Sequence, residues 1–323
     1  MQTSERIHFE AVVVDLHCDT LQDLQAGKRT LVPSGPQEGH IDLPRLKAGG
    51  VDVQVFALYI APEMAGRGYQ RAVELIEAFH REIQHNREAI GHARTVEEIE
   101  SLLQQGKVAA VLAVENGDAL EGRVENLDHL YAQGVRMLSL TWNHANALAD
   151  GAREQVHGGL TPLGKDVIER MDELGMVLDV SHLSEQAFWQ ALEVAKGPVV
   201  ATHSNAAALA PHPRNLTDEQ LRAIAARGGV VGVNFYPEFL GRGDATVESV
   251  LEHITYMARV MGVDHVALGS DFDGISKTPA GLEDVSKVPA ITRGLLARGY
   301  TEEEVKKILG RNALRVFREV WRH

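Results

Sequence analysis

Six side chains in this sequence can bind divalent metal ions or move protons, and each follows a run of apolar residues. His17 and Asp19 follow a β-branched run that is typical of a strand buried on both faces. We expect alternation along the strand to turn them to one face and Cys18 to the other. They would form half of a metal site, although a lone His-x-Asp is common by chance. The remaining four are Glu115, His182, His203 and Asp271.

These four residues stand where an apolar run gives way to polar sequence. The runs that lead to them are VAAVLAVE, MVLDVSH, PVVATH and HVALGSD. A polar group at the end of a buried strand is costly unless it has a partner. One such residue is ordinary, but three histidines and three carboxylates at equivalent positions predict a shared site.

The elements that position these residues are eight predicted strands separated by helices. The strands span residues 12–20, 51–60, 108–117, 135–143, 176–182, 198–204, 229–236 and 265–274. Alternation of strands and helices predicts a parallel sheet covered by helices, and eight strands favour closure into a (β/α)8 TIM barrel. A doubly wound open sheet is the alternative, but no glycine-rich phosphate loop follows the first strand.

Helical periodicity and capping residues place the helices between these strands. The predicted helices span 69–90, 95–103, 127–133, 163–174, 184–196, 216–227, 247–261, 288–298 and 301–321. Residues 27–40 are rich in glycine and proline and long for a connection, so we expect them to be functional or mobile. No linker or repeat divides the chain. We therefore expect residues 1–323 to form a single metallohydrolase domain, with C-terminal helices over about 288–321 packed on it.

Composition excludes several classes of protein. The 323 residues are 44% hydrophobic and 24% charged, which is ordinary for a globular protein. A net charge of −13 argues against non-specific nucleic-acid binding. A single cysteine rules out an internal disulfide. The N-terminus has no apolar h-region before the first strand, and no run approaches the ~20 apolar residues that span a membrane. We expect a cytoplasmic protein without a membrane partner.

In a barrel of this class the functional side chains gather at the carboxyl ends of the strands. The histidines and carboxylates here are too many for one catalytic zinc, which takes three protein ligands. They suit two divalent ions, one held by His17 and Asp19 and the other by His182 and His203. Glu115 would bridge the two ions.

The metal ions would make the nucleophile, since they lower the pKa of a bound water. A hydroxide between them would attack, and Asp271 would carry its proton to the leaving amine. Mixed nitrogen and oxygen ligands suit Zn²⁺, with Mn²⁺ or Co²⁺ as alternatives. We therefore expect two Zn²⁺ per chain.

Ten motifs, in order along nearly the whole chain, carry a resemblance to a known family. They are DLHCDT, LPRLKAGGVD, VENG, GLTPLGKDVI, LDVSHLS, ATHSNAAAL, RNLTD, VNFY, GSDFDG and GLEDVSK. The chain resembles the membrane (renal) dipeptidases, peptidase family M19, a branch of the amidohydrolase superfamily. The resemblance implies a binuclear zinc dipeptidase with the same five ligands, Asp271 as its strand-8 aspartate, and a possible homodimer. It also allows a D-residue at the C-terminal position of the substrate, and some relatives open β-lactams.

Candidate substrate-binding residues come from three loops. The family's substrate arginine falls on Arg214, and a guanidinium would read the carboxylate of a dipeptide. Tyr236, in the VNFY motif, is a further candidate. Family members carry a histidine after strand 4 where this chain has Trp142. We expect Asn143 or His144 to supply the lost hydrogen-bond donor, or Trp142 to line a differently shaped pocket.

Two other functions compete with dipeptide hydrolysis. The first is hydrolysis of another small amide, a lactam, a lactone or a phosphoester on the same scaffold. Relatives of that kind often bridge the metals with a modified lysine at strand 4, and the fourth predicted strand has none. The second is a non-catalytic binding protein, which would predict a broken ligand set. The sequence favours the dipeptidase.

Overall fold

Nine parallel strands form the central sheet of the protein in a computed structural model that describes residues 3–35, 38–241 and 244–321. The strands are β1 Val14–Cys18, β2 Val53–Tyr59, β3 Ile90–His92, β4 Val108–Glu115, β5 Val135–Ser139, β6 Val177–Asp179, β7 Val200–Ser204, β8 Val230–Val233 and β9 Val266–Leu268. Eight of them close into a ring in the order β1–β2–β4–β5–β6–β7–β8–β9, because β2 pairs with β4 and β9 pairs with β1. The predicted (β/α)8 TIM barrel is confirmed, and it forms a single domain.

Helices surround the barrel. They are α1 Thr3–Glu10, α2 Leu21–Gln25, α3 Leu43–Gly49, α4 Gly68–His85, α5 Val96–Gln104, α6 Val124–Ala132, α7 Pro162–Leu174, α8 Glu185–Val194, α9 Asp218–Ala226, α10 Pro237–Leu240, α11 Val247–Met261, α12 Pro289–Ala297, α13 Glu302–Lys306 and α14 Asn312–Val320. A π-helical turn, Lys307–Arg311, joins α13 to α14. The predicted last helix is therefore continuous, but this one turn is wider than an α-helical turn. None of the helices in the described ranges has both the length and the apolar composition needed to cross a bilayer.

Capping residues set the helix ends that the sequence predicts. The side chains of Thr95, Ser184 and Thr301 each accept a backbone N–H from the first turn of the helix that follows. Gly175 ends α7 in the left-handed region, at φ 76°. One predicted helix, 69–90, is too long. It ends at His85, and the chain then turns into β3, which pairs with the start of β4.

The last helix closes the amino-terminal end of the barrel. Leu314, Phe317 and other apolar residues of α14 pack in one cluster with the inward side chains of the strands, including Val53 and Val200. Asn312 donates to carbonyls at and just before the start of β9. The interior of the barrel is therefore a packed core, and the opposite, carboxyl end remains for the site.

A β-bulge in β1 decides which way His17 points. The register runs from Asp15 opposite Gln54 to Cys18 opposite Phe56, so three steps along β1 match two along β2. Strict alternation from the inward Leu16 would turn His17 outward. The extra residue lets His17 face the barrel axis, while Cys18 packs in the outer core.

The long irregular stretch predicted at 27–40 is tied to the barrel rim in the part that the structure describes, while Pro36 and Gln37 lie outside the described residues. Arg29 is buried and reaches Asp273, with 2.7 Å between Nη2 and Oδ2. Asp273 also accepts the hydroxyl of Thr20 at 2.6 Å. These contacts fasten the stretch to the loop that carries Asp271.

Candidate metal centre and active site

The six predicted side chains meet at the carboxyl end of the barrel. One half of the cluster centres on His17, whose Nε2 lies 3.5 Å from Asp19 Oδ2 and 3.6 Å from Glu115 Oε2. Asp271 Oδ1 lies 4.0 Å from the same nitrogen. The structure therefore brings together residues from β1, β4 and the loop after β9, as the sequence predicts.

The other half of the cluster contains two histidines from β7 and the loop after β6. Glu115 Oε1 lies 3.0 Å from His182 Nε2 and 3.6 Å from His203 Nε2. The two oxygens of Glu115 are thus divided, Oε2 toward His17 and Oε1 toward this pair. A carboxylate placed in this way can bridge two centres.

Hydrogen bonds fix which nitrogen of His203 carries a proton. Thr202 Oγ1 lies 2.6 Å from Asp179 Oδ2 and 2.7 Å from His203 Nδ1. The hydroxyl has one proton and donates it to the carboxylate, so it must accept the N–H of His203 Nδ1. Nε2 of His203 is therefore unprotonated, and its lone pair faces the site.

His182 has the same arrangement through a different partner. Its Nδ1 lies 3.0 Å from Asn143 Oδ1, which can only accept, so Nδ1 carries the proton. The Nε2 atoms of His182 and His203 then each carry a lone pair, and the two nitrogens lie only 2.8 Å apart. Such a pair repels unless a cation lies against both nitrogens.

Burial and charge set the protonation of the three histidines. Burial lowers the pKa of His182 and His203 well below the usual value, and the positive charges of Arg214 and His17 act in the same direction. Burial also acts to lower the pKa of His17, but Glu115 and Asp19 together raise this pKa well above the usual value. A metal ion would take the place of that proton.

The donor atoms of this cluster fit divalent metal ions. His17 Nε2 and Asp19 Oδ1 are buried and have no hydrogen-bond partner among the described residues, which is costly for polar atoms in a protein interior. Three overlapping groups place their ligand atoms within 4.8 Å of one another: His17, Asp19 and Glu115; Glu115, His182 and His203; and His17, His203 and Asp271. Imidazole and carboxylate together suit zinc and similar ions.

Asp271 is held in an unusual backbone conformation at the edge of the cluster. Its φ is 63°, in the left-handed region, and Asn234 Nδ2 donates to its Oδ2 at 2.8 Å. Burial raises the pKa of Asp271 to about 7; Asp19 and Glu115 act in the same direction against His17. A carboxyl with such a pKa is suited to proton transfer near neutral pH.

Gly274 allows the loop that carries Asp271 to approach the site. A Cβ at this position would lie 2.1 Å from Asp19 Oδ2 and 2.7 Å from Asp271 Oδ1. Any side chain here would displace both carboxylates. The glycine of the GSDFDG motif is therefore required by the packing of the site.

Arg214 is a buried cation without a carboxylate partner in the described part of the chain. Only 3% of its surface is exposed, and Nη2 donates to the carbonyl of His203 at 3.0 Å. Its Nε has no hydrogen-bond partner in residues 3–35, 38–241 and 244–321, and burial lowers the pKa of the guanidinium to about 10. A guanidinium that keeps free donors beside the site is ready to bind an anion.

A cavity of about 440 Å³ opens over the cluster. Its walls include Trp142, Asn143 and Tyr236, as well as Arg214. His144 is not among the lining residues. It is exposed and stacks on Trp142, with 5.5 Å between the ring centroids.

The residues predicted to replace the lost donor therefore differ in what they can do. Asn143 holds His182 and also lines the cavity, where its amide nitrogen makes no hydrogen bond within the described chain. Trp142 forms a wall between Tyr59 and His182, at centroid distances of 5.4 and 6.1 Å. The geometry favours Asn143 over His144 as a donor and agrees with a reshaped pocket around Trp142.

Tyr59 and Arg153 are among the lining residues that the sequence reasoning missed. Tyr59 is the last residue of β2, and its position at the end of a strand was a usable signal. Arg153 lies in the loop between β5 and α7, where the sequence gives no pattern to distinguish it from any loop arginine. Cys18, in contrast, packs in the outer core on the face opposite His17, and burial raises the pKa of its thiol well above the usual value.

The barrel and its cluster of imidazoles and carboxylates define a metal-dependent hydrolase of the amidohydrolase type. Comparison with known families makes this assignment specific. Residues 1–322 match the family "Membrane dipeptidase (Peptidase family M19)". The chain belongs to this family, as the motifs predict, and is a metal-dependent dipeptidase.

Individual relatives agree with the family. The dipeptidase tcpJ of Claviceps purpurea is 33% identical over 301 residues, which cover 89% of this chain and 71% of that protein. A protein from the pqqA 5′ region of Klebsiella pneumoniae, described as uncharacterized, is 46% identical over 230 residues, 68% of this chain and 84% of that protein.

Solved structures show the same fold. The probable dipeptidase PvdM of Pseudomonas aeruginosa superposes with a TM-score of 0.93 at 25% identity, over 99% of this chain and 98% of that chain. A metallopeptidase of Rhodobacter sphaeroides, bound to a phosphinate mimic of L-Ala-D-Ala, has a TM-score of 0.90 at 29% identity, over 96% of this chain and 99% of that chain.

Proposed function

We propose that this chain is a binuclear zinc dipeptidase that hydrolyses the amide bond of a dipeptide. One observation carries the proposal. The two oxygens of Glu115 are divided between His17 and the His182–His203 pair, as a carboxylate bridging two ions requires. In this proposal His17 and Asp19 hold one ion and the two remaining histidines hold the other.

The rest of the cavity supplies binding and proton transfer. Ions bound here supply a Lewis acid and lower the pKa of a water molecule. Arg214 binds the carboxylate of the dipeptide in a water-poor pocket, where a charge-assisted hydrogen bond is strong. Asp271 takes the proton of the attacking water and passes it to the leaving amine. Bound cations would lower its pKa from about 7, so it begins the reaction as a carboxylate.

Asn143 and Tyr236 complete the proposed substrate contacts. In this proposal the Asn143 amide nitrogen donates to the oxyanion, since the Asn143 oxygen accepts from His182 and the nitrogen is left for the substrate. The Tyr236 ring lines the cavity and packs against Phe239, and the Arg214 guanidinium lies over the same Phe239 ring. A D-residue at the C-terminal position is part of this proposal, supported by the Rhodobacter sphaeroides relative that binds a phosphinate mimic of L-Ala-D-Ala.

Three further parts of the proposal come from the sequence and the family resemblance. They are a cytoplasmic location, a possible homodimer, and a single metallohydrolase domain that spans residues 1–323. Mn²⁺ and Co²⁺ remain alternatives to Zn²⁺, because they bind the same ligand types.

A substrate panel tests the function. The zinc-loaded protein is assayed with L-L and L-D dipeptides, an N-acetyl amino acid, a β-lactam, a lactone and a phosphoester, and its metal content is measured in parallel. We expect cleavage of dipeptides and about two zinc ions per chain. A fully loaded protein that opens the lactam or lactone but cleaves no dipeptide would overturn the proposal in favour of another small hydrolytic substrate.

A further inference from the structure

Arg153 is fixed at the cavity by the backbone around it. Its N–H donates to the carbonyl of Asn143 at 2.9 Å, and the N–H of Ala152 donates to the carbonyl of His182 at 2.7 Å. Gly151 allows this approach, since a Cβ there would lie 2.6 Å from the oxygen of Asn143. The loop that carries Arg153 is thus fastened to two residues of the active site.

The contact between the Arg153 side chain and the ring of His212 has no hydrogen-bond acceptor on either side. Its Nη2 lies 3.4 Å from His212 Nε2. His212 Nδ1 accepts the backbone N–H of Arg214 at 3.1 Å, so the neutral ring carries its proton on Nε2. Burial lowers the pKa of His212, and Arg153 and Arg214 lower it further, which keeps the ring neutral. Two N–H donors therefore face each other.

No carboxylate of the described chain forms an ion pair with Arg153. Glu238 lines the same cavity, and its carboxylate helps to raise the pKa of the Tyr236 hydroxyl. The charge of Arg153 is thus available to a ligand. An anionic oxygen between Arg153 and His212 would accept from both donors and relieve their contact.

We propose that Arg153 and His212 form a second carboxylate subsite, and that the preferred dipeptides carry an acidic side chain on their C-terminal residue. The proposal rests on the proposed function, in which Arg214 takes the α-carboxylate. His212 lies two residues before Arg214 and is bonded to its backbone, so the second subsite lies on the side of the C-terminal residue. A carboxylate on the side chain of that residue would accept hydrogen bonds from Arg153 on one side and from His212 on the other.

The test compares substrates that differ only in this charge. kcat/KM is measured for Ala-Glu and Ala-Gln, with the L- and the D-isomer of the second residue, in the metal-loaded enzyme. We expect Ala-Glu to be preferred by about tenfold or more, as for a hydrogen bond to a charged group. Arg153→Gln should remove this preference by lowering kcat/KM for Ala-Glu while changing Ala-Gln less than about twofold.

Two further variants separate the subsite from a structural effect. Arg153→Lys keeps the charge and should retain part of the preference, although it loses the planar fork. Arg87→Gln removes an exposed arginine before β3, at the other end of the barrel, and should leave both substrates unchanged. Equal losses on Ala-Glu and Ala-Gln in Arg153→Gln would overturn the proposal, as would a wild-type enzyme that cleaves both equally.

Binding measurements distinguish failure of the subsite from failure of the dipeptidase function. Calorimetric titration of the metal-loaded Asp271→Asn protein, with and without Arg153→Gln, measures binding of Ala-Glu and Ala-Gln while turnover is slowed. Tighter binding of Ala-Glu that depends on Arg153, without cleavage of either peptide, would support the subsite and reject the dipeptidase. Cleavage of both peptides, together with equal binding affinity for the two, would support the dipeptidase and reject the subsite.

Discussion

The Thr202 hydroxyl stands between the Asp179 carboxylate and the imidazole of His203, at 2.6 and 2.7 Å. The hydroxyl thus connects a buried carboxylate to a candidate metal ligand through two hydrogen bonds, although the carboxylate and the imidazole do not touch. Partners of this kind orient a ligand and raise its basicity. The residue next to His203 in sequence is thus also the one that fixes its ring.

Thr202→Val should weaken metal binding while it leaves all proposed ligands in place. Valine has nearly the shape of threonine but cannot accept the His203 N–H, so we expect metal affinity to fall by about 10- to 100-fold. A chelator competition measures this affinity. Thr292→Val is the matched control, because Thr292 makes an equivalent 2.7 Å contact with His8, among α1, α3 and α12. Similar losses in both variants would contradict this role.

His203→Ala should remove one of the two proposed ions and abolish activity. The remaining ion keeps His17, Asp19 and Glu115, so metal analysis should fall from about two ions per chain to about one. His157→Ala is the control, since His157 is an exposed histidine in a loop at the same end of the barrel. A wild-type protein that holds only one ion would refute the binuclear assignment.

Asp271→Asn should lower kcat by about 10²- to 10⁴-fold, because the amide cannot carry a proton between water and amine. Metal content should stay at the wild-type value, since Asp271 is not one of the five proposed ligands. Steady-state kinetics and metal analysis on the same preparation check both parts. Loss of an ion along with activity would instead make Asp271 a ligand.

Arg214→Lys should raise KM for free dipeptides by about 10- to 100-fold, because lysine cannot form the two parallel bonds to a carboxylate. Dipeptides with an amidated C-terminus should be affected much less. Because Arg214 also bonds the carbonyl of His203, thermal unfolding is measured alongside the kinetics. The same loss on both substrate types would show that Arg214 acts through the fold.

His253 should make the metal-free protein less stable in mild acid. Burial lowers its pKa to about 4, below about 6.5 in the unfolded chain, so the unfolded state binds the proton more readily. Its stabilising effect is therefore complete above pH 6.5 and lost as the pH falls toward 4, by about 3 kcal/mol in all.

Urea unfolding of the metal-free protein at pH 7 and pH 4.5 measures this effect. His253→Gln should lower stability at pH 7 but lose less of it on acidification than the wild type, because glutamine does not titrate in this range. His85→Gln, at the exposed end of α4, should keep the wild-type difference. An unchanged difference in His253→Gln would contradict the assignment.

Much of the fold could be predicted from the sequence because the strands are buried on both faces. Apolar runs mark all eight barrel strands, and the candidate histidines and carboxylates mark the carboxyl ends of five of them. Short elements were harder. β3 has only Ile90 fully buried and was taken as the end of a helix, and α1 has too few apolar residues to show a clear periodicity.

The cluster of six side chains could be predicted because it lies at strand ends, but its fine geometry could not. The bulge that turns His17 inward depends on pairing between β1 and β2, which the sequence of β1 does not reveal. Likewise, Asn143 holds His182 across 39 positions of sequence. Contacts of this kind are made by the tertiary structure, and no local pattern encodes them.

The helix that closes the barrel has a consequence for biosynthesis. Because α14 contributes Leu314 and Phe317 to the interior cluster, a nascent chain on the ribosome lacks this part of its core until nearly all of the described residues have emerged. Until then the amino-terminal end of the barrel exposes apolar surface to the cell. Consolidation of the barrel thus waits until α14 has emerged, and chaperones have their longest opportunity to bind just before that point.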